Sequence, residues 1–279
     1  MISPPKTIPA VLSCLLFTCY VVAAPPAAGP VVEPTNAAEA AAKKQAEAAE
    51  LDGKYQAWVA TLAPGHQAWE KVLQENLGGF YLPIHKKEKV EGKTNAWDYV
   101  EDDPALPRVL LIGDSVSRGY TQSVRKLLEG KANVHRAPAN CGPTKTGLEK
   151  LDVWLGEGEW DVIHFNFGIH DRATPLADYR ERLGKIVERL SGTGARLIWA
   201  TTTPIPDVAE TKQTAASIVE RNAVAAELMG EKGVAVNDLF AAITPHLSTL
   251  QNPRDVHFNA DGYRFLGEKV AASIEAALK

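Results

Sequence analysis

Hydrophobic patterning is most regular from Pro107 onward. Val109, Leu110, Leu111 and Ile112 run without interruption and are closed by Gly113. An unbroken apolar run of that length, bounded by proline and glycine, predicts a short strand buried on both faces. Beyond Ser115 the apolar residues Val124, Leu127 and Leu128 recur at helical spacing, so strand gives way to helix across Gly113-Asp114-Ser115. The same change of period then repeats. Strands are expected at 109–112, 133–136, 161–167, 196–201 and 234–236. Helices are expected at 117–128, 144–155, 176–190, 209–232 and 260–278. Such alternation with short connections predicts an α/β domain over 107–279, a parallel sheet covered on both faces by right-handed crossovers. Ligands in such folds gather at the carboxyl ends of the strands, and the polar clusters of this chain fall there.

Ahead of that alternation the pattern differs. Lys6 precedes an apolar run over 8–22, and Val22-Ala23-Ala24 offers the small residues of a cleavage site. A signal peptide over 1–24 is expected, and with it a secreted or periplasmic product; an uncleaved anchor is the other reading of this segment. The run is short for a spanning helix and ends at Pro25-Pro26, so no stable membrane insertion is expected. Residues 25–36 are rich in Pro, Ala and Gly and read as a flexible spacer. Residues 37–106 read as an extension of helices and short strands. Its first part, 37–51, has strong helix propensity and few core-type residues. Trp58, Leu62, Trp69, Val72, Leu73 and Leu77 mark two helices broken at Pro64-Gly65, and 80–85 and 96–100 look like short strands. The aromatic residues Phe80, Tyr81, Trp97 and Tyr99 could form a sugar-stacking wall, or serve the commoner purpose of fixing the extension to the main domain.

Composition narrows the field. At 279 residues the chain can hold one sizeable domain plus extras, and 45% hydrophobic with 23% charged residues is ordinary for a soluble globular protein. A formal charge of −4 argues against non-specific nucleic-acid binding. No solenoid-type repeat is present. Of three cysteines, Cys14 and Cys19 lie in the leader-like segment, so a processed chain keeps Cys141 alone and forms no internal disulfide.

Four polar clusters carry the candidate chemistry. Ser115 sits between a buried strand and a helix, where its own amide lies at a helix N-terminus that favours negative charge. That suits a nucleophile with part of an oxyanion hole, though Asp and Ser are also common helix caps. Asn140-Cys141-Gly142-Pro143-Thr144 follows the second strand; its glycine lets a backbone N–H approach a ligand, or simply makes a turn before a helix. His164-Phe165-Asn166-Phe167-Gly168-Ile169-His170-Asp171 ends the third strand. By alternation His164, Asn166 and Gly168 point one way, and such a polar face needs partners, functional or structural. Asp255-Val256-His257 precedes the last helix, where His257 could accept the proton of Ser115 while Asp255 holds its other ring nitrogen.

Gly113-Asp114-Ser115, Gly142, Gly168-Ile169-His170-Asp171 and Asp255-Val256-His257, in this order and spacing, resemble the SGNH/GDSL hydrolases from about Pro107 to the C-terminus. The resemblance implies a three-layer α/β/α, flavodoxin-like fold with a five-stranded parallel sheet, and ester hydrolysis without a cofactor. It implies Ser115 as nucleophile, His257 as base, Asp255 as acid, and the N–H groups of Ser115 and Gly142 in the oxyanion hole. Two positions depart from the family. His170 stands where the family has asparagine, so the third oxyanion donor is expected from His170 or from Asn166. Arg254 occupies the usual acid slot three residues before the histidine, with Asp255 one residue closer.

The expected substrate is a small or polysaccharide ester, with O-acetyl or another short acyl group removed from carbohydrate, since a secreted chain without a long apolar lid segment suits long-chain lipid less well. A lipase- or thioesterase-type hydrolase of the same fold and a non-catalytic glycan-binding module are the alternatives. A metal hydrolase built from His164, His170, Asp171, Asp255 and His257 is disfavoured by the lack of a spaced ligand motif, and no metal is expected.

Overall fold

The computed structural model describes residues 36–208 and 214–279. The expectations for the leader at 1–24, for the spacer as far as residue 35, and for helix at 209–213 lie outside them. The chain divides into two units, Met1–Gln45 and Ala46–Lys279. The described residues of the first, 36–45, are helical and exposed.

The sheet has the order β2-β1-β3-β4-β5 with every neighbouring pair parallel. Its strands are β1 (Arg108–Ile112), β2 (Asn133–Arg136), β3 (Val162–Phe165), β4 (Arg196–Ala200) and β5 (Ala235–Asn237). Alternation along β1 divides the core. Val109 and Leu111 face α4 (Ser115–Leu127) and α10 (Ala260–Leu278), where Tyr120, Val124, Leu266 and Val270 are buried. Leu110 and Ile112 face α5 (Thr144–Leu155), α6 (Leu176–Ser191) and α7 (Ala215–Lys232) through Leu151, Leu183, Ile186 and Met229. Three layers result, as the alternation of sequence periods predicts. The chain leaves β1 toward β2 on one side and returns to β3 on the other. A crevice therefore opens past the carboxyl ends of β1 and β3, where such folds place ligands.

Outside this core the sequence reading needs correction. Residues 80–85 are not a strand; they lie within α3 (Gly78–Val90). Phe80, Leu82 and Ile84 alternate, but the inward positions Leu77, Tyr81 and His85 repeat every four residues, and His85 is fully buried against Glu70 of α2 (Pro64–Asn76). Residues 96–100 are not a strand either. The Asn95 side chain accepts from Trp97 N (2.8 Å) and Asp98 Oδ2 accepts from Asn95 N (3.0 Å), which closes a turn. Asn36, placed at the end of the spacer, instead opens α1 (Asn36–Val59). Trp97 is buried with Leu73 and Leu77 of the extension itself, while Phe80 is exposed; of the aromatic group, Trp97 and Tyr81 meet the main domain, under the guanidinium groups of Arg136 and Arg118.

His164 is a core residue. It is fully buried on β3, its Nε2 accepts from Asn237 Nδ2 at 3.2 Å, and Nδ1 has no partner. Burial pulls its pKa from 6.5 down to about 3, because the charged form would lose its hydration. Between those values the unfolded chain binds a proton that the folded chain does not, so this residue's contribution to stability is lost as pH falls below 6.5. Chemical unfolding at pH 7 and pH 5 is expected to show a smaller acid loss in His164→Asn than in the parent; equal losses would contradict this assignment.

Candidate active site

The site begins where β1 ends. Ile112 is buried, and Gly113 and Asp114 then turn the chain into α4, with Ser115 its first residue. Asp114, in extended conformation, takes the capping role: its carboxylate accepts from Val116 N at 2.9 Å. The Ser115 hydroxyl is left for other work. Gly113 has no room for a side chain, since a Cβ would come within 2.7 Å of Ser117 Oγ.

Arg136, at the end of β2, braces this turn from below. Its Nη2 donates to Gly113 O (3.0 Å) and Asp114 O (2.9 Å), and its Nη1 to Ser117 Oγ. The guanidinium is fully buried under the Trp97 ring, 5.8 Å from its centroid. Trp97 thereby links the N-terminal extension to the turn that carries Ser115.

The loop between α9 (Leu247–Leu250) and α10 delivers the imidazole. It is pinned by a bridge between Gln251 and Phe258 and by Asn252 N donating to His257 O at 2.9 Å. His257 Nε2 lies 2.8 Å from Ser115 Oγ, and His257 Nδ1 lies 2.8 Å from Asp255 Oδ1. With the proton on Nδ1 donated to Asp255, Nε2 accepts from the Ser115 hydroxyl. Burial acts to raise the Asp255 pKa, but hydrogen bonds from the His257 ring and from the His257 and Val256 amides outweigh it and hold the carboxyl below its usual range. The acid two residues before the histidine works because Arg254 adopts a left-handed conformation (φ 57°), which brings the next carboxylate round to the ring.

The Asn140–Thr144 loop contributes Asn140 to the lining of the site. Cys141 N donates to Gly113 O (3.2 Å), tying the loop to the end of β1. Gly142 has φ 67°, a left-handed conformation that favours glycine. Asp171, fully buried, accepts from Thr144 N (2.8 Å) and Thr144 Oγ1 (2.7 Å), which joins this loop to the segment after β3. Cys141 itself packs: it is buried, and burial pushes its thiol up to about 12.

A cleft of about 370 Å³ brings together Ser115, His257, Asp255, His170, Asn140 and Tyr81. Tyr81 comes from the extension, its ring under the Arg118 guanidinium at 5.4 Å. Asn166 is not among these residues. It follows β3 directly, and the parallel register with β4 draws its amide to Ala200 O (2.7 Å) and Thr202 Oγ1 (3.0 Å). The expectation that Asn166 could serve as the third donor is therefore corrected: its N–H groups are engaged at the end of β4. Of the five residues of the metal alternative, His170, Asp255 and His257 line this cleft, whereas His164 lies in the core and Asp171 is bound to Thr144. Among the described residues no group of three or more His, Cys, Asp or Glu side chains could hold a metal ion. Sequence reasoning missed Arg136 as part of the site, and named Asn140 in the second cluster without giving it a role of its own. A charged residue closing a buried strand was the available signal for the first, and an amide two residues before Gly142 for the second.

The model of the GDSL-like lipase/acylhydrolase family matches residues 111–265, more than half of the chain. No curated relative matches the sequence. Among solved structures, a lipase/acylhydrolase from Enterococcus faecalis is similar with 22% identity and a TM-score of 0.55, over 61% of this chain and 96% of that one. An acetylxylan esterase from Geobacillus stearothermophilus is similar with 18% identity and a TM-score of 0.53, over 60% of this chain and 94% of that one. At these identities the likeness is one of fold.

Proposed function

Since the chain belongs to the GDSL-like lipase/acylhydrolase family and is an ester-bond hydrolase, we propose that it removes acetyl or other short acyl groups from carbohydrate by a Ser115–His257–Asp255 mechanism. The observation that carries this reading is the pair of 2.8 Å contacts that align Ser115 Oγ, the His257 ring and Asp255. Ser115 Oγ passes its proton to His257 Nε2 as the Oγ–C bond forms, and Asp255 stabilises the resulting imidazolium. The N–H groups of Ser115 and Gly142 receive the charge that develops on the carbonyl oxygen. Collapse breaks the bond to the alcohol, which takes the proton from His257. Water then repeats the sequence on the acyl-enzyme and releases the acid.

Support for a short acyl group on a polar carrier comes from the cleft. Its rim carries exposed Arg172, Arg254 and His170 beside Tyr81. The apolar lining is limited to Ile169, Val208, Val256 and the Tyr81 ring, a wall suited to a short acyl group. The fold shared with an acetylxylan esterase is compatible with this reading. The leader-like segment at 1–24 supports export, where polysaccharide would be met. Release of acetyl, butyryl and octanoyl groups from activated esters, and of acetate from acetylated polysaccharides, tests the proposal. Acetyl esters are expected to exceed octanoyl esters about tenfold or more in kcat/KM; a preference for octanoyl would overturn it in favour of a lipase- or thioesterase-type activity.

A further inference from the structure

We propose that the side-chain amide of Asn140 is the third donor of the oxyanion hole. The inference rests on the Ser115 mechanism above and adds a residue to it. Two backbone N–H groups serve the developing oxyanion, and a side-chain donor completes such a site. Asn166 is unsuited, because its amide is held by Ala200 O and Thr202 Oγ1. His170 stands at the exposed rim of the cleft.

Asn140 meets the requirements that Asn166 does not. It lines the same cleft as Ser115 and His257. It also sits two residues before Gly142, so one loop presents the backbone donor and the amide together, and Cys141 N holds that loop to Gly113 O beside the nucleophile. Its Oδ1 is buried without a hydrogen-bond partner. That oxygen can only accept, so the atom that would face an oxyanion is Nδ2. No protein partner fixes which end of the amide faces the nucleophile, so Nδ2 can take the donor's place as charge appears on the substrate oxygen. The amide breaks no protein hydrogen bond in order to act.

The test compares Asn140→Ala, Asn140→Asp, His170→Ala and Ser115→Ala on an activated acetyl ester, with thermal unfolding of each. Removal of one oxyanion donor is expected to lower kcat by about 10²-fold or more. For Asn140→Ala the account requires that loss with KM within about threefold of the parent and the unfolding temperature preserved, because no folded-state bond is removed. Asn140→Asp keeps the shape but lacks the N–H and should lose as much; it decides the matter where the alanine variant folds poorly. Activity within about threefold of the parent in both Asn140 variants, with Ser115→Ala inactive, overturns this inference and leaves the hydrolase mechanism standing. A loss of that size in His170→Ala but in neither Asn140 variant assigns the donor to His170 and overturns it equally. Full activity in Ser115→Ala sinks the mechanism on which it rests.

Discussion

His257→Ala is expected to lower kcat/KM by about 10⁴-fold or more, Ser115→Ala by as much, and the double variant no further. The reason is geometric. The hydroxyl is useful only while Nε2, 2.8 Å away, accepts its proton, and the ring has no proton to accept once the hydroxyl is gone. Two residues that act as one device cannot be lost twice. Steady-state kinetics of the two single variants and the double variant on an activated acetyl ester give the answer. Additive losses would mean that serine and histidine act independently, which the 2.8 Å contact does not allow. Neither change should disturb folding much, since Asp114 rather than Ser115 caps α4, and His257 is part-exposed at the lip of the cleft.

Arg136→Met is expected to be the most damaging change outside the reacting groups. Two opposing effects must be weighed. Burying a guanidinium without a contacting carboxylate is costly, and a methionine of similar volume relieves that cost. Against this, the carbonyls of Gly113 and Asp114 lose their charged donor and keep neutral ones, Cys141 N and Arg118 N, and bonds from a charged donor contribute about 1.5–3 kcal/mol each. Two such bonds outweigh the relief. A net loss of about 2 kcal/mol is expected, with the unfolding temperature lowered by about 4–8 °C. Catalysis should fall beyond what stability explains, because the turn that aims Ser115 loses its brace. Arg136→Lys should restore little, since one ammonium cannot hold two carbonyls and a hydroxyl in the planar fork geometry. Thermal unfolding and kcat measured on both variants decide; a methionine variant as stable and active as the parent would remove Arg136 from this role.

The main domain was legible because its signals are local. The unbroken apolar run of β1 and Pro143 before α5 each declare their element without help from distant residues. The extension was harder to read. In 80–85 a period of two competes with a period of four, and the deciding contact, His85 to Glu70, joins residues of different helices. The serine, histidine and aspartate could be singled out by type and spacing, yet only the left-handed turn at Arg254 explains how an acid two residues before the histidine reaches the ring. Asn166 and Asn140 illustrate what sequence withholds. Both are amides in loops after strands, and their difference is one of partners: β4 supplies them to the first, while the second has none for its oxygen.

The most direct test is chemical. An active-site phosphonate ester incubated with the parent protein, followed by proteolysis and mass spectrometry, should place a single covalent adduct on Ser115 and abolish hydrolysis in step with its formation, whereas His257→Ala should label far more slowly. An adduct on another residue, or hydrolysis that survives full labelling of Ser115, would contradict the serine mechanism.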